Sequence, residues 1–139
     1  VGSKAAPQPR EFTMLANHNL VLSLPVSDID RAKAFYAEKL GLKPTEVLED
    51  GGAYYQSGNV KFLLYPSGFA GTNQATAAGW EVDDVDASVA DLQSRGVVFE
   101  EYDFDELKTE NGVATTPEGQ KAAWFKDSEG NILGVFSQG

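Results

Sequence analysis

Two patterns alternate along this chain and then repeat. In Asn19–Val26 (NLVLSLPV), Leu20, Leu22 and Leu24 alternate with Asn19, Val21 and Ser23. A period of two predicts a strand with one apolar face. Ser27 follows, with Asp30 three residues on, in the manner of a capping box. Ile29, Ala32, Phe35, Tyr36 and Leu40 then recur at helical spacing, and Gly41 and Pro44 end the helix. Short β-type runs come next: a weak one at Val47–Leu48, then Ala53–Gln56, the turn Ser57-Gly58-Asn59, and Val60–Tyr65. The small polar stretch 67–76 reads as a linker.

After the linker the order restarts. Ala77–Val82 reads as a strand, Asp83 or Asp84 as a cap, and Val85, Val89 and Leu92 as a helix face that ends at Gly96. Val97–Tyr102, Lys121–Phe125 and Ile132–Phe136 read as strands, the last two joined by the turn Asp127–Asn131. The copies superpose with an offset of 56 at the helix caps and 72 at the Gly-Asn turns, so the second carries an insertion, placed at Asp103–Gln120. Turn, cap and helix end recur in order, which marks a duplicated supersecondary unit whose copies bury each other. Modules of about 17–66 and 77–137 follow, within one domain 14–139. Residues 1–13 lack periodicity, precede Met14, and are expected to be an expression remnant or disordered tail.

Composition narrows the chemistry. The chain has no cysteine, which excludes disulfides, thiolate catalysis and cysteine metal sites and suits the cytoplasm. Its formal charge of −10 repels nucleic acid and anionic lipid and attracts cations. No apolar run reaches the roughly 20 residues that cross a bilayer, and no phosphate-binding or dinucleotide fingerprint occurs. The acidic insertion, with Asp103, Asp105, Glu106 and Glu110, reads as a solvated loop or a lid hinged at Gly112 and Gly119.

Val26–Pro44 (VSDIDRAKAFYAEKLGLKP), Trp80–Val97 and Trp124–Phe136 (WFKDSEGNILGVF) together resemble the signatures of the vicinal oxygen chelate superfamily, which includes glyoxalases, bleomycin-resistance proteins and extradiol dioxygenases. The resemblance implies an α+β fold, in which two tandem βαβββ modules form an open, cup-shaped mixed sheet with helices outside. It also implies a homodimer. Enzymes of that family hold a divalent metal in the cup, and the resemblance places the ligand positions at Val21, Ala77, Gly134 and either Phe62 or Leu63. None of these side chains can bind a cation. His18, the one histidine, lies three residues from the expected position, so no metal or other cofactor is expected.

Alternation assigns the faces. Leu20, Leu22 and Leu24, and Ala78, Trp80 and Val82, are expected under the helices. Asn19, Val21, Ser23, Ala77, Gly79, Glu81, Ile132, Gly134 and Phe136 are expected to face the cup, where Ala77, Gly79 and Gly134 would leave space. Tyr55 and Trp124, at matching turns, are expected as cavity walls, and Phe62, Tyr65 and Tyr102 as further ligand contacts, since flat rings hold planar or cationic ligands. Glu81 is the carboxylate expected on the cup floor, as a partner for a ligand amine or a general base. The first expectation is a metal-independent protein that sequesters a cationic or aromatic small molecule such as an antibiotic. The alternative is a glyoxalase-like lyase or isomerase, or a dioxygenase-related enzyme, with Glu81 and Tyr55 as acid–base groups.

Overall fold

The computed structural model describes residues 14–137; the expected tail 1–13 lies outside the described residues. The first module runs β1 (Leu22–Val26), α1 (Ile29–Glu38), β2 (Glu46–Val47), β3 (Ala53–Ser57) and β4 (Val60–Pro66). The second runs β5 (Thr76–Glu81), α2 (Val85–Ser94), β6 (Asp103–Phe104), β7 (Leu107–Glu110), β8 (Val113–Thr115), β9 (Lys121–Lys126) and β10 (Ile132–Phe136). The strands form two mixed sheets of the same plan, β1-β4-β3-β2 and β5-β10-β9-β8-β7-β6. In each, the first strand runs parallel to the last, as a helical crossover requires, and the rest pair antiparallel. The fold is thus α+β, with tandem glyoxalase-type modules.

Each helix starts where an aspartate side chain accepts from a backbone N–H, Asp28 from Arg31 and Asp84 from Ala87. The cap of α1 is therefore Asp28 and not Ser27, whose own donors are used between the modules. Gly41 and Gly96 end the helices at φ +72° and +94°, where L side chains are strained. Tyr36 of α1 meets Tyr55 and Phe62, the latter two stacked at 5.1 Å, over Leu24, Val26, Ala53 and Leu64. Val85 and Val89 of α2 belong to the same core as Ala123, Phe125, Leu133 and Val135. Each buried Val, Leu or Phe side chain among them contributes about 1.5–3 kcal/mol.

The second module departs from expectation in the insertion. Val97–Tyr102 forms only a bridge, Phe99 to Phe125, whereas the acidic stretch forms β6, β7 and β8. Pairing of Val113 with Ala123 and of Glu110 with Val113 ties this stretch to β9. It widens the sheet and is held by ladder hydrogen bonds, unlike a free lid.

Candidate functional site

Ladder register and pleat fix which side chains share a face. Leu22 and Leu24 point with Phe62, Leu64, Ala53 and Tyr55 towards α1. Ser23, Leu63 and Tyr65 take the other face, and Ser23 is directly opposite Leu63. In the second sheet, Ala78 and Trp80 share the α2 side with Leu133 and Val135. The opposite face carries Gly79, Glu81, Trp124, Gly134 and Phe136. The expected alternation therefore describes β1, β5 and β10, except that Leu20 precedes β1 and is 90% exposed.

Two of the expected ligand contacts are elsewhere. Tyr55 is 0% exposed and belongs to the core, because its parity on β3 sends it under α1 with Tyr36. Phe62 shares that face. The matching turns predicted Tyr55 as the counterpart of Trp124, but the hairpins differ in length, which shifts the register by one and reverses the face. Leu63 is consequently the ligand-position counterpart on β4.

The structure brings Tyr102, Trp124, Phe136 and Glu81 together on the open face of the second sheet, with Phe104 beside them. Tyr102 meets Trp124 edge-on at 5.7 Å and stacks with Phe104 at 6.0 Å. Phe104 is 62% and Phe136 38% exposed, and Glu81 pairs across the ladder with Phe136. Cavities of about 290 Å³ flank Trp124 on either side, both lined by residues from Gln74 onwards. Ser23, exposed, and Tyr65, half-buried, lie on the first sheet. The small residues do not leave the expected space. A Cβ on Gly79 would meet the Phe136 ring at 3.1 Å, and one on Gly134 the Trp124 ring at 3.1 Å. The rings lie over the glycines, so this face is a shallow aromatic platform.

This face does not fit a metal. Val21, Ala77, Gly134 and Leu63 offer no donor, and among the described residues no group of three His, Cys, Asp or Glu side chains could hold an ion. His18 is exposed and precedes β1, after a short turn of 3-10 helix.

Two features were not foreseen. The first is a latch between the modules. The β9–β10 turn carries Glu129, whose side chain is wholly buried and accepts from Ser27 N–H (3.0 Å), Asp28 N–H (2.9 Å), the Ser27 and Ser128 hydroxyls, and Arg31 Nε (2.9 Å). Burial alone would raise its pKa, but the Arg31 guanidinium, Ser128, Asp28 N–H and Ser27 prevail and hold it at about 2. Next to it Asp127 accepts from the Tyr36 hydroxyl at 2.7 Å, and Asn131 donates to Pro25 C=O at 2.8 Å. Burial and the neighbouring Asp127 push the Tyr36 hydroxyl far above its ordinary range. The signal was present as a glutamate inside a Gly-Asn turn.

The second feature is a crevice at the opposite edge of the module interface. A cavity of about 600 Å³ lies between Leu22, Leu24, Phe62 and the Ser57–Val60 turn on one side and Ala78–Glu81 on the other. Trp80 Nε1 donates across it to Ser57 Oγ at 2.9 Å. The available signal was turn length: two residues separate the paired Ser57 and Val60, whereas five separate Lys126 and Ile132.

Comparison with known proteins agrees with this architecture. Residues 17–135 match the family model described as Glyoxalase/Bleomycin resistance protein/Dioxygenase superfamily. No curated protein sequence matches the chain. A glyoxalase/bleomycin resistance protein from Catenulispora acidiphila superposes with a TM-score of 0.64 at 20% identity, covering 87% of this chain and 98% of its own. A lactoylglutathione lyase from Agrobacterium tumefaciens gives 0.63 at 18% identity, covering 84% and 90%. A glyoxalase/bleomycin resistance protein/dioxygenase from Nocardioides gives 0.66 at 15%, covering 92% and 88%. The chain belongs to the glyoxalase/bleomycin resistance protein/dioxygenase superfamily.

Proposed function

We propose that this chain is a metal-independent small-molecule binding protein of the glyoxalase/bleomycin-resistance type, which sequesters a flat aromatic or cationic compound such as an antibiotic in the cytoplasm. The observation that carries the reading is the platform of Tyr102, Trp124 and Phe136 with Glu81 at its edge. Exposed rings on a sheet face lose water favourably against another flat ring, and one carboxylate beside them selects positive charge. The platform is shallow and its cavities draw on one module only, so we expect a second copy of the chain to cover it.

The lyase or isomerase alternative has less support. It needs an acid–base pair, and Tyr55, the partner offered for Glu81, is enclosed in the core.

The test is an equilibrium titration of the Trp80→Phe protein, in which Trp124 is the remaining tryptophan, with N-methylacridinium in the presence of EDTA. Saturable quenching is expected, weakened about tenfold by Phe136→Ala. Absence of saturable quenching would overturn the reading.

A further inference from the structure

The crevice at the module interface touches the edge of the aromatic platform at Glu81, but its other walls are different residues and it has its own cause in the sequence. At an offset of 56, Leu24, Val26, Ala32 and Tyr36 correspond to Trp80, Val82, Ser88 and Leu92. In the first set the notch beside α1 is filled by the long β9–β10 turn, whose Asp127 takes the Tyr36 hydroxyl. In the second set the β3–β4 turn is three residues shorter and reaches only to the Trp80–Ser57 hydrogen bond. Space is left on both sides of that bond. Trp80, Val82, Ser88 and Leu92 line a cavity of about 280 Å³, and the 600 Å³ cavity shares Trp80 and Ser57 with it.

We infer that this crevice, walled by Trp80 and by Leu22, Leu24 and Phe62, is a second ligand site, built for a compact organic monocation with an apolar body. Its size falls in the roughly 300–1,000 Å³ of small-molecule pockets, and its walls are apolar with few polar groups, as such pockets are. The charged side chains that line the two cavities are Glu81 and Asp91, both acidic, and no lysine or arginine lines either. Asp91 is already paired with Arg95 at 3.3 Å, so the carboxylate left to a ligand is that of Glu81, which repels an anion, whereas a cation gains it together with the Trp80 indole face. Ser57 Oγ accepts from Trp80 and keeps a second lone pair that can face a cation.

A separate observation lies behind the same wall. The Tyr55 hydroxyl, two residues before Ser57 on β3, is the buried side-chain polar atom without a hydrogen-bond partner among the described residues. Its ring stacks at 10° on Phe62, which lines the cavity. Unsatisfied buried hydroxyls are rare, and each calls for an explanation. A ligand here would touch β1 and β5 together, and so strengthen the side of the module interface opposite the Glu129 latch.

The inference goes beyond the proposed function, since the crevice shares only Glu81 and the neighbouring Gly79 with the platform, and the two tryptophans separate the sites. The Trp124→Phe protein, in which Trp80 reports alone, is titrated with benzyltriethylammonium, with benzoate as the anionic control. A saturable change of Trp80 emission with the cation and none with benzoate is expected. Glu81→Gln should weaken binding about threefold to fivefold. Asn59→Lys, an exposed change at the rim that leaves the core untouched, should weaken it at least as much. No Trp80 response, an equal response to benzoate, or an affinity unchanged by Asn59→Lys would overturn the inference. A Trp124 response to the cation in the Trp80→Phe protein, with no Trp80 response in the Trp124→Phe protein, would overturn the crevice site while leaving the platform standing.

Discussion

Glu129 accepts more hydrogen bonds from the other module than any other side chain among the described residues. Its carboxylate satisfies backbone and side-chain donors from the start of α1, and its pKa of about 2 lies below the unfolded value near 4.5. A carboxyl depressed on folding adds stability that is complete above the unfolded pKa and is lost as pH falls through the folded one. We therefore predict that the urea midpoint falls between pH 4.5 and pH 2. Glu129→Gln should lower stability at pH 7 by about 2–3 kcal/mol and flatten that acid limb. An unchanged acid limb in the variant would show that other carboxylates control it. Arg31 is half exposed, so its share of the latch is screened, and Arg31→Met should cost about 1 kcal/mol or less.

At the scale of elements, turns decide what the modules can do. Gly71 and Gly130 touch back to back: a Cβ on Gly71 would lie 2.7 Å from Glu129 C=O, and one on Gly130 2.9 Å from the Gly71 Cα, both at positive φ. Gly58 in the short turn also has positive φ, but nothing lies within 4 Å of its missing Cβ. We predict that Gly71→Ala and Gly130→Ala each cost well over 1 kcal/mol in thermal unfolding, whereas Gly58→Ala costs about 1 kcal/mol, the strain alone. Similar losses at all three would mean that the contact between the turns carries no weight. These turns also show what sequence reading reaches. The cap of α1 falls at Asp28, one residue past the expected Ser27, but helix faces and the inward parity of Leu22, Leu24 and Trp80 follow from period and composition, because local sterics set them. The side taken by Tyr55 does not, because it depends on hairpin register, and neither does the pairing of the acidic insertion. Its charges face water as expected, but a strand ladder tolerates charges at an open edge.

For the whole molecule, the two sheets meet through a polar latch at one edge and a crevice at the other, and neither sheet face away from its helix is covered. With a second copy covering the platform, as proposed above, light scattering is expected to give twice the mass of the chain. A strict monomer that still binds N-methylacridinium would show that the platform works unassisted. The candidate site was half legible: alternation put Glu81 and Phe136 on one face, and the ladder adds Trp124 with Tyr102 against it, while the rings over Gly79 and Gly134 close the space that small residues promised. Side-chain filling of that kind is a three-dimensional outcome that no one-dimensional spacing encodes.

The central claim is binding without a metal, and thermal unfolding with and without ligands tests it most directly. The purified protein would be scanned in EDTA, in nickel, zinc or manganese, and in N-methylacridinium with EDTA. The account predicts a midpoint raised by the organic cation and unmoved by the metals, since a ligand stabilises only the state that binds it. A midpoint raised by a divalent metal and restored by EDTA would contradict it, and would mean that carboxylates or carbonyls outside the family's ligand positions hold an ion.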